Sequence, residues 1–585
     1  MKYTYINNKY DFFALLGVPS NKMNYLLYNR VNMGPENMYS TFTIPKKNGG
    51  ERTINAPNKE LKNIQKKLVV LLENHYNELV EKKKFRDSFL HAFIKDRSII
   101  TNARIHRNKN FILNIDLENF FETIHFGRVK GFFEKDFNFK VPSEVALIIA
   151  QLTCYKGSLP QGAPTSPIIS NLIGKILDLR LIKLCKKYKL NYTRYADDLT
   201  FSTNDYSFVK NFNKILEDIK IEVNKSGFKV NDKKTRVQNY RLRQDVTNLT
   251  VNKKINVQKK YFKNTRAMAN HLYRNNEFFI DGDLGTLNQL EGRFAFINQI
   301  DKYNNKNIIH KYNSSKKKSN KEYIHNLNSR EKEYRKFIFY RLFYANPNPI
   351  IATEGKTDIR YIKAALKNLY DEYPELIEKN DNQFLFKISF LNRFRKKTDE
   401  MNKLQYFLNL APHGADSLKN IFKYYKESES SYPNYMEYFK KLGNNMPNNP
   451  VIILFDNELH NKKKPLSKFC TNLKLTDDDK SILKLNLNIC LKDNLYLLTN
   501  QLIGTSKENQ LEDLFQEETL SKIINNKSFS TSDEYDKSIY YGKEIFSQYI
   551  SSNYETENFD NFRPLLDNIV KIINDYKMNK CEDNN

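Results

Sequence analysis

The chain has no tryptophan, and its 585 residues include only 18 glycines, 17 prolines and 5 cysteines. So little Gly and Pro excludes a collagen-like or low-complexity chain. The cysteines (Cys154, Cys185, Cys470, Cys490 and Cys581) form no C-x-x-C pair and no zinc spacing, which excludes a zinc ribbon and a thioredoxin-type redox motif. Their odd number and wide scatter predict buried thiols in a reducing cytoplasm. No apolar run approaches the roughly 20 residues of a membrane span. The N-terminal MKYTYINNKYDFF is too polar for a signal peptide. A soluble cytoplasmic protein without a membrane partner is expected, and no internal repeat is visible.

What the chain has in excess is positive charge, and it is unevenly spread. Residues 1–350 carry 62 Lys and Arg against 32 Asp and Glu, whereas the remaining 235 carry 33 against 35. A Lys-rich surface produced by genome composition alone would not stop near residue 350, so the basic part reads as a surface that tracks polyphosphate. At this length several domains are expected, each able to bury a core.

Residues 190–202 read LNYTRYADDLTFS: a short strand, two adjacent acids at a tight turn, then a second strand. Adjacent carboxylates repel, and burying either one unpaired is costly. A divalent cation relieves that repulsion, and carboxylate oxygens suit Mg²⁺. Upstream, FILNID ends a second apolar strand in Asp116. Asp116, Asp197 and Asp198 from separate strands make a two-metal phosphoryl-transfer site possible. Between them, LPQGAPTSP (159–167) runs into the helical pattern IISNLIGKILDLRLIKL.

That order of acids, loop and helix resembles the palm of a reverse transcriptase. Ile44–Ile54 (IPKKNGGERTI) is similar to the fingers hairpin of that family, and GFKVNDKKT (227–235) to its fourth palm motif. Asn102-Ala103-Arg104-Ile105-His106 matches the NAxxH signature of retron reverse transcriptases. Val246-Thr247-Asn248 stands where those enzymes carry VTG, with Asn in place of Gly. The resemblance implies an RNA-directed DNA polymerase that uses dNTPs and Mg²⁺ and primes from a 2′-hydroxyl of its own structured non-coding RNA, leaving branched RNA-linked DNA. It implies metal binding by Asp116, Asp197 and Asp198, and triphosphate binding by Lys46, Arg52 and Arg97. It further implies a sugar gate at Phe121, nucleotide and template positioning by Gln161 and Gly162, and primer support by Tyr195. Lys234 would act on the pyrophosphate, with Lys233 equally placed on sequence alone. Asn102, His106, Val246, Thr247 and Asn248 would belong to the RNA-recognising surface. For a lone His, a structural hydrogen bond is the competing reading, and for Phe120-Phe121 one ring of the pair is expected in the core.

From about 255 to 345 the chain reads as basic helices with interleaved aromatics, as in a thumb that grips a duplex. Half or more of those rings are expected to be core, and residues 304–322 read as a loop. After Asn346-Pro347-Asn348-Pro349, the strand PIIATEGKTD precedes the helix IRYIKAALKNLY. The GKT string is not a P-loop, because the motif needs Gly at 350 and the chain has Ile. This region resembles a Toprim domain, with Glu354 and Asp358 after the first strand and Asp456 and Glu458 after VIILF. The D-x-E replaces the D-x-D of that family. LQYFLNLAPHGADSLKNIF reads as strand, turn and helix between them, and Glu512 and Asp513 are further candidate ligands.

The expected architecture is therefore an α+β right-hand polymerase followed by an α/β Toprim-like domain. Its divisions are 1–255 (N-terminal helices, fingers and palm), 256–345 (basic helical thumb) and 346–585 (Toprim-like nuclease or effector). The resemblance implies a retron polymerase with a fused metal-dependent nuclease in antiphage defence, with its cognate RNA and branched product as partners and a homo-oligomer possible. The competing readings are a template-independent abortive-infection polymerase, a group II intron maturase, and a retron polymerase with an inert Toprim scaffold.

Overall fold

The computed structural model describes residues 2–29, 38–46, 49–82, 87–312, 327–381, 383–393, 402–426, 431–443, 445–532 and 534–582. Of the expected fingers hairpin, Lys47 and Asn48 lie outside them. The chain divides into two compact units, 1–259 and 260–585.

The first unit is built around a four-stranded antiparallel sheet. Two short N-terminal helices, Lys9–Leu16 and Ser20–Asn24, are separated where Gly17 takes φ +57°, a left-handed conformation that ends the first. Strands β1 (Tyr39–Pro45) and β2 (Glu51–Pro57) form an antiparallel hairpin and lead into helix Lys59–Glu81. Leu61, Ile64, Leu68, Leu72, Tyr76 and Leu79 recur on that helix at three- and four-residue spacing, so one stripe is buried. The sheet itself contains β3 (Phe111–Leu117), β4 (Asn191–Tyr195), β5 (Asp198–Thr203) and β6 (Val230–Asn239), in the order β4-β5-β3-β6. β3 is central, which explains its nearly continuous apolar sequence. Helix Ser166–Tyr188 packs Ile169, Ile173, Leu177 and Leu181 into the core and ends at Lys189, which has φ +52°.

In the second unit, helices Lys259–Asn275, Leu287–Tyr312 and Ser329–Phe339 come first. The loop expected over 304–322 is corrected in part: residues 304–312 continue the helix, and 313–322 lie outside the described residues. These helices share one hydrophobic core with apolar side chains from 404–497. Phe339 packs on Tyr424, Tyr425 and Tyr435, and the buried Arg335 donates to the Tyr435 hydroxyl at 2.9 Å and the Ser431 carbonyl at 2.8 Å. The contact division therefore falls at 259/260 and not at 345/346, because the aromatics of the basic helices are filled in by rings from 404–439.

The α/β part of this unit holds a five-stranded sheet in the order Ser389–Phe390, Ile350–Ala352, Val451–Phe455, Leu495–Thr499, Asn488–Lys492. All neighbours are parallel except the last pair. Fully buried strands such as VIILF suit a sheet covered on both faces. The strand expected at LQYFLNL is a helix, Lys403–Leu408. The Asn402 side chain caps it by accepting from Leu404 N–H, Leu404, Phe407 and Leu408 bury one face, and Asn409 at φ +56° stops it. Short apolar runs of this kind fit either period, and the cap decided it.

Among the described residues no helix is long and apolar enough to cross a membrane. Cys154, Cys185 and Cys470 are buried free thiols, and Cys490 is free and exposed.

Candidate active site

The first site is assembled by register. Asp116, near the end of β3, faces Asp198 across β5 and Asn231 across β6. Tyr195 pairs with Asp198, leaving Ala196-Asp197 as a two-residue turn, and the Asp197 carbonyl accepts from Leu117 N–H at 3.1 Å. One hairpin and one neighbouring strand thus bring three carboxylates together. Desolvation raises the pKa of Asp197, and the Asp116 charge adds to it, opposed by Lys234 and Arg52. Asp198 is pushed up to about 6 by desolvation and then by the charges of Asp197 and Asp116. The Lys234 ammonium lies 2.9 and 3.1 Å from the two Asp116 carboxylate oxygens, in the manner of a bound cation, and that partner raises its pKa.

The donor set fits Mg²⁺: every candidate ligand is a carboxylate oxygen, and the raised pKa values of Asp197 and Asp198 record burial first and then the like-charge repulsion a cation would relieve. Among the described residues no three Asp, Glu, His or Cys side chains are already drawn together as a metal cage. An ion would have to pull Asp116, Asp197 and Asp198 inward and displace Lys234.

The structure separates the remaining candidates. Arg52 is close enough to Asp197 to influence its charge. Lys234, and not Lys233, reaches the acids. Phe120 is buried and stacks on Phe228, while Phe121 is half-buried, so the core ring of the pair is Phe120. The Gln161 carbonyl accepts from Asn55 N–H of β2 at 2.7 Å. Gly162, at φ +121°, lies so close to β2 that a Cβ would sit 2.8 Å from the Asn55 carbonyl oxygen. Lys46 is exposed at the β1 end of the hairpin turn, with no contact to the acids among the described residues.

Arg97 is corrected. It pairs with Asp87 at 2.8 Å and donates to the carbonyls of Asp87 and Leu90, so it fixes the 87–97 loop and cannot clamp a triphosphate from there. Asn102 and His106 are also corrected, since both are fully buried and cannot form an RNA surface. Thr193 gives its hydroxyl proton to Asn102 Oδ1 at 2.6 Å, so it must accept from His106 Nε2–H at 2.7 Å. His106 Nδ1 then accepts from Ser202 at 2.7 Å. Burial pushes this imidazole down to about 3, with the His91 and Lys109 charges adding to the effect, and it stays neutral. Val246 is buried as well; Thr247 and Asn248, at φ +45° and +64°, form the hairpin tip, and of the five only Asn248 is exposed.

Sequence reasoning missed the support beneath this site. Arg194 and Asp178, both with fully buried side chains, form a bidentate pair with both bonds at 2.8 Å. Asp178 also accepts from the Tyr192 hydroxyl at 2.7 Å, and Arg194 donates to the Ala196 carbonyl at 3.3 Å. Ala196 sits at φ +56°, a conformation that costs a non-glycine residue about 1–2 kcal/mol. Gly174 leaves the necessary space, because a Cβ there would lie 2.8 Å from the Arg194 guanidinium. The available signal was a single acid on the apolar stripe of ILDLRLIKL and a single cation in the strand before Tyr195.

A second acidic site lies in the α/β sheet. Glu354 follows the strand Ile350–Ala352, and Asp456 follows Val451–Phe455, so both lie at adjacent carboxyl ends, where such sheets bind ligands. Glu354 accepts from Asp456 N–H at 3.2 Å, and Asp456 accepts from Leu511 N–H at 3.0 Å. Burial, and then the Asp358 charge, push Glu354 up to about 8. Burial pushes Asp358 up to about 6, with Glu512 contributing. Asp456 is raised by burial and then by Asp358, Glu354 and Glu512.

Glu512 therefore belongs to the cluster, whereas Asp513 accepts from Gln510 N–H at 2.7 Å and serves as a helix cap. Glu458 is corrected as a ready ligand: it is buried and paired with Lys464 at 2.7 Å. Sequence reasoning also missed Lys543, whose ammonium lies 3.0 Å from Glu512 and 2.9 Å from Gln510. Burial opposes its charge, but Glu512 and then Asp456 and Asp358 hold its pKa above the usual value. The fully buried Arg393 donates to the Thr353 and Glu354 carbonyls at 2.9 and 2.8 Å, fixing the strand end.

Residues 44–264 match the family model described as reverse transcriptase (RNA-dependent DNA polymerase). The chain is 31% identical over 308 residues to the Retron Ec86 reverse transcriptase of Escherichia coli, covering 52% of this chain and 88% of that one. It is 33% identical over 254 residues to the Retron Mx65 reverse transcriptase of Myxococcus xanthus, covering 41% of this chain and 57% of that one. A solved telomerase from Candida albicans, in complex with a fragment of telomeric RNA, is 14% identical with a TM-score of 0.31, covering 55% of this chain and 62% of that one.

Proposed function

This chain belongs to the retron reverse transcriptase family, and from that premise we propose that it is an RNA-directed DNA polymerase that copies a cognate structured RNA into branched, RNA-linked single-stranded DNA. The observation that carries the polymerase reading is the convergence of Asp116, Asp197 and Asp198 with Lys234 across β3, β5 and β6. Asp116 and Asp197 are the proposed direct ligands of Mg²⁺, with Asp198 acting less directly. Mg²⁺ held there would supply the positive charge that neutralises a dNTP triphosphate. Arg52 shares that neutralisation from β2. Lys234 shields Asp116 until substrate arrives and is then placed to give a proton to the pyrophosphate. Phe121 excludes a ribose 2′-hydroxyl, Gln161 and Gly162 position nucleotide and template, and Tyr195 supports the primer end.

The second part of the proposal concerns residues 346–585, read as a Toprim-like effector with metal-dependent nuclease activity in antiphage defence. Glu354, Asp358, Asp456 and Glu512 would hold the ion, and the raised pKa values of the first three, set by burial first and by neighbouring acids second, support that reading. Bound nucleic acid would keep the effector quiet until infection disturbs it.

The test is to express the gene with its native upstream non-coding region and analyse the copurified nucleic acid, with Asp197→Asn/Asp198→Asn as control. Discrete DNA joined to RNA by a debranchase-sensitive link, absent from the control, is expected. DNA without an RNA branch would favour a template-independent polymerase, and no DNA would remove the polymerase reading. For the effector, Glu354→Ala is expected to abolish phage protection; protection equal to wild type would refute it.

A further inference from the structure

Three helices of the second unit, Lys259–Asn275, Ser329–Phe339 and Tyr435–Gly443, enclose a cleft of about 580 Å³ outside both acidic sites. Phe262, Lys263, Arg266 and Tyr273 line it from the first helix, Lys336 from the second and Tyr438 from the third. Clefts of roughly 300–1,000 Å³ hold ligands of nucleotide size.

The walls alternate cations with rings. Lys263 and Arg266 are exposed and have no ion-pair partner among the described residues. The Lys336 ammonium lies 4.5 Å over the Tyr438 ring and 3.5 Å from Glu333, the one carboxylate of the lining. Outside the lining itself, the Arg330 guanidinium, paired with Asp301 at 3.5 Å, stands 5.1 Å over Phe262. Cations beside flat aromatic faces suit a phosphate next to a stacked base. Tyr273 supplies a second, independent sign of a ligand. It is 2% exposed, yet its hydroxyl has no hydrogen-bond partner. An unpaired buried hydroxyl costs about 1–3 kcal/mol, and a phosphate oxygen would satisfy it.

The third wall leads into the α/β sheet. Phe439, next to Tyr438, packs on Tyr273 and Tyr340 with ring centroids 4.9 Å away in each case. Gly443 approaches the first helix so closely that a Cβ would sit 2.6 Å from the Tyr273 carbonyl oxygen. The strand Val451–Phe455 comes next in the chain and ends beside Asp456.

We propose that this cleft binds a phosphate and an adjoining base of single-stranded nucleic acid, and so connects the chain's own product to the domain carrying Glu354 and Asp456. This deepens, and rests on, the reading of a polymerase fused to an effector. DNA and RNA single strands share the required chemistry.

The test uses the full chain with photoreactive 4-thiothymidine oligo-dT and 4-thiouridine oligo-rU of equal length. Crosslinked peptides containing Phe262 and Tyr438 are expected, and the strand that gives them in higher yield identifies the source. Lys263→Glu/Arg266→Glu should lower the slope of log affinity against log salt by about 0.7, the value for one lost phosphate contact with a single strand. Tyr273→Phe, which keeps the ring packing, should weaken binding roughly two- to tenfold without lowering the melting temperature of the free protein. It carries the test should the double reversal disturb folding. Crosslinks that avoid Phe262 and Tyr438, with unchanged slope and unchanged Tyr273→Phe affinity, would overturn the proposal. If the wild type made no DNA from its cognate RNA, the polymerase reading would fail instead, which keeps the two failures distinct.

Discussion

Arg194→Met is the sharpest test of how the polymerase hairpin is held. Arg194 and Asp178 are both fully buried and joined by two bonds of 2.8 Å, so removing the cation leaves a buried carboxylate with only the Tyr192 hydroxyl. Breaking such a pair from one side costs about 3–5 kcal/mol. For a domain of this size that lowers the melting temperature by roughly 6–20 °C, at about 2–4 °C per kcal/mol. Arg194→Met/Asp178→Leu removes both charges and should restore most of the stability, because apolar replacements of buried pairs are often neutral. Primer extension should not recover with it. The bond from Arg194 to the Ala196 carbonyl is lost in both variants, and that bond holds a residue at φ +56° beside the acids. The assay is thermal unfolding of the first unit alongside kcat and KM for extension, with kcat expected to fall in both variants while KM for dNTP changes little. Recovery of kcat with stability in the double variant would refute a positioning role. A loss below about 1 kcal/mol in the single variant would refute the coupling itself.

Other consequences can be measured separately. Phe121→Ala should reduce discrimination against ribonucleotides by at least roughly tenfold, about 1.4 kcal/mol, in single-nucleotide incorporation. Gly162→Ala should impair extension and destabilise the contact with β2, because the new methyl would lie 2.8 Å from the Asn55 carbonyl oxygen at φ +121°. His106, held neutral at about 3 against an ordinary 6.5, contributes stability that is complete above 6.5 and lost as pH falls toward 3. Stability should drop across that window by up to about 1.4 kcal/mol per pH unit for this one proton, read as a falling melting temperature, and less steeply in His106→Gln. Glu354, at about 8, and Asp358, at about 6, must lose protons to hold a cation, so stabilisation of the second unit by Mg²⁺ should grow from pH 6 to pH 8 and vanish in Glu354→Gln.

The palm elements were legible because their signals are local. An apolar run ending in Asp116, an acid pair between two short strands, and a Pro-started helix each state their own conformation. The same holds for Glu354 and Asp456 at strand ends. Arg97, Asn102 and His106 read as functional because motif position does not report burial. Each proved to be tied to groups far along the chain or within a folded loop, such as His106 with Ser202. LQYFLNL was misread for a related reason: a short apolar run carries no period of its own, and the side chain of Asn402 fixed it as helix.

What could be read before folding was therefore the chemistry on offer: three carboxylates on the palm strands and their turn, six more among the α/β elements, and a basic N-terminal region. Tertiary structure alone decided which charges meet. It placed Lys234 and not Lys233 on Asp116, withdrew Glu458 to Lys464, and brought Lys543 to Glu512. It also merged the basic helices after residue 260 with the C-terminal sheet into one core. The physical reason is range: backbone periodicity and turn chemistry act over a few residues, whereas desolvation and ion pairing depend on neighbours that only the completed fold supplies.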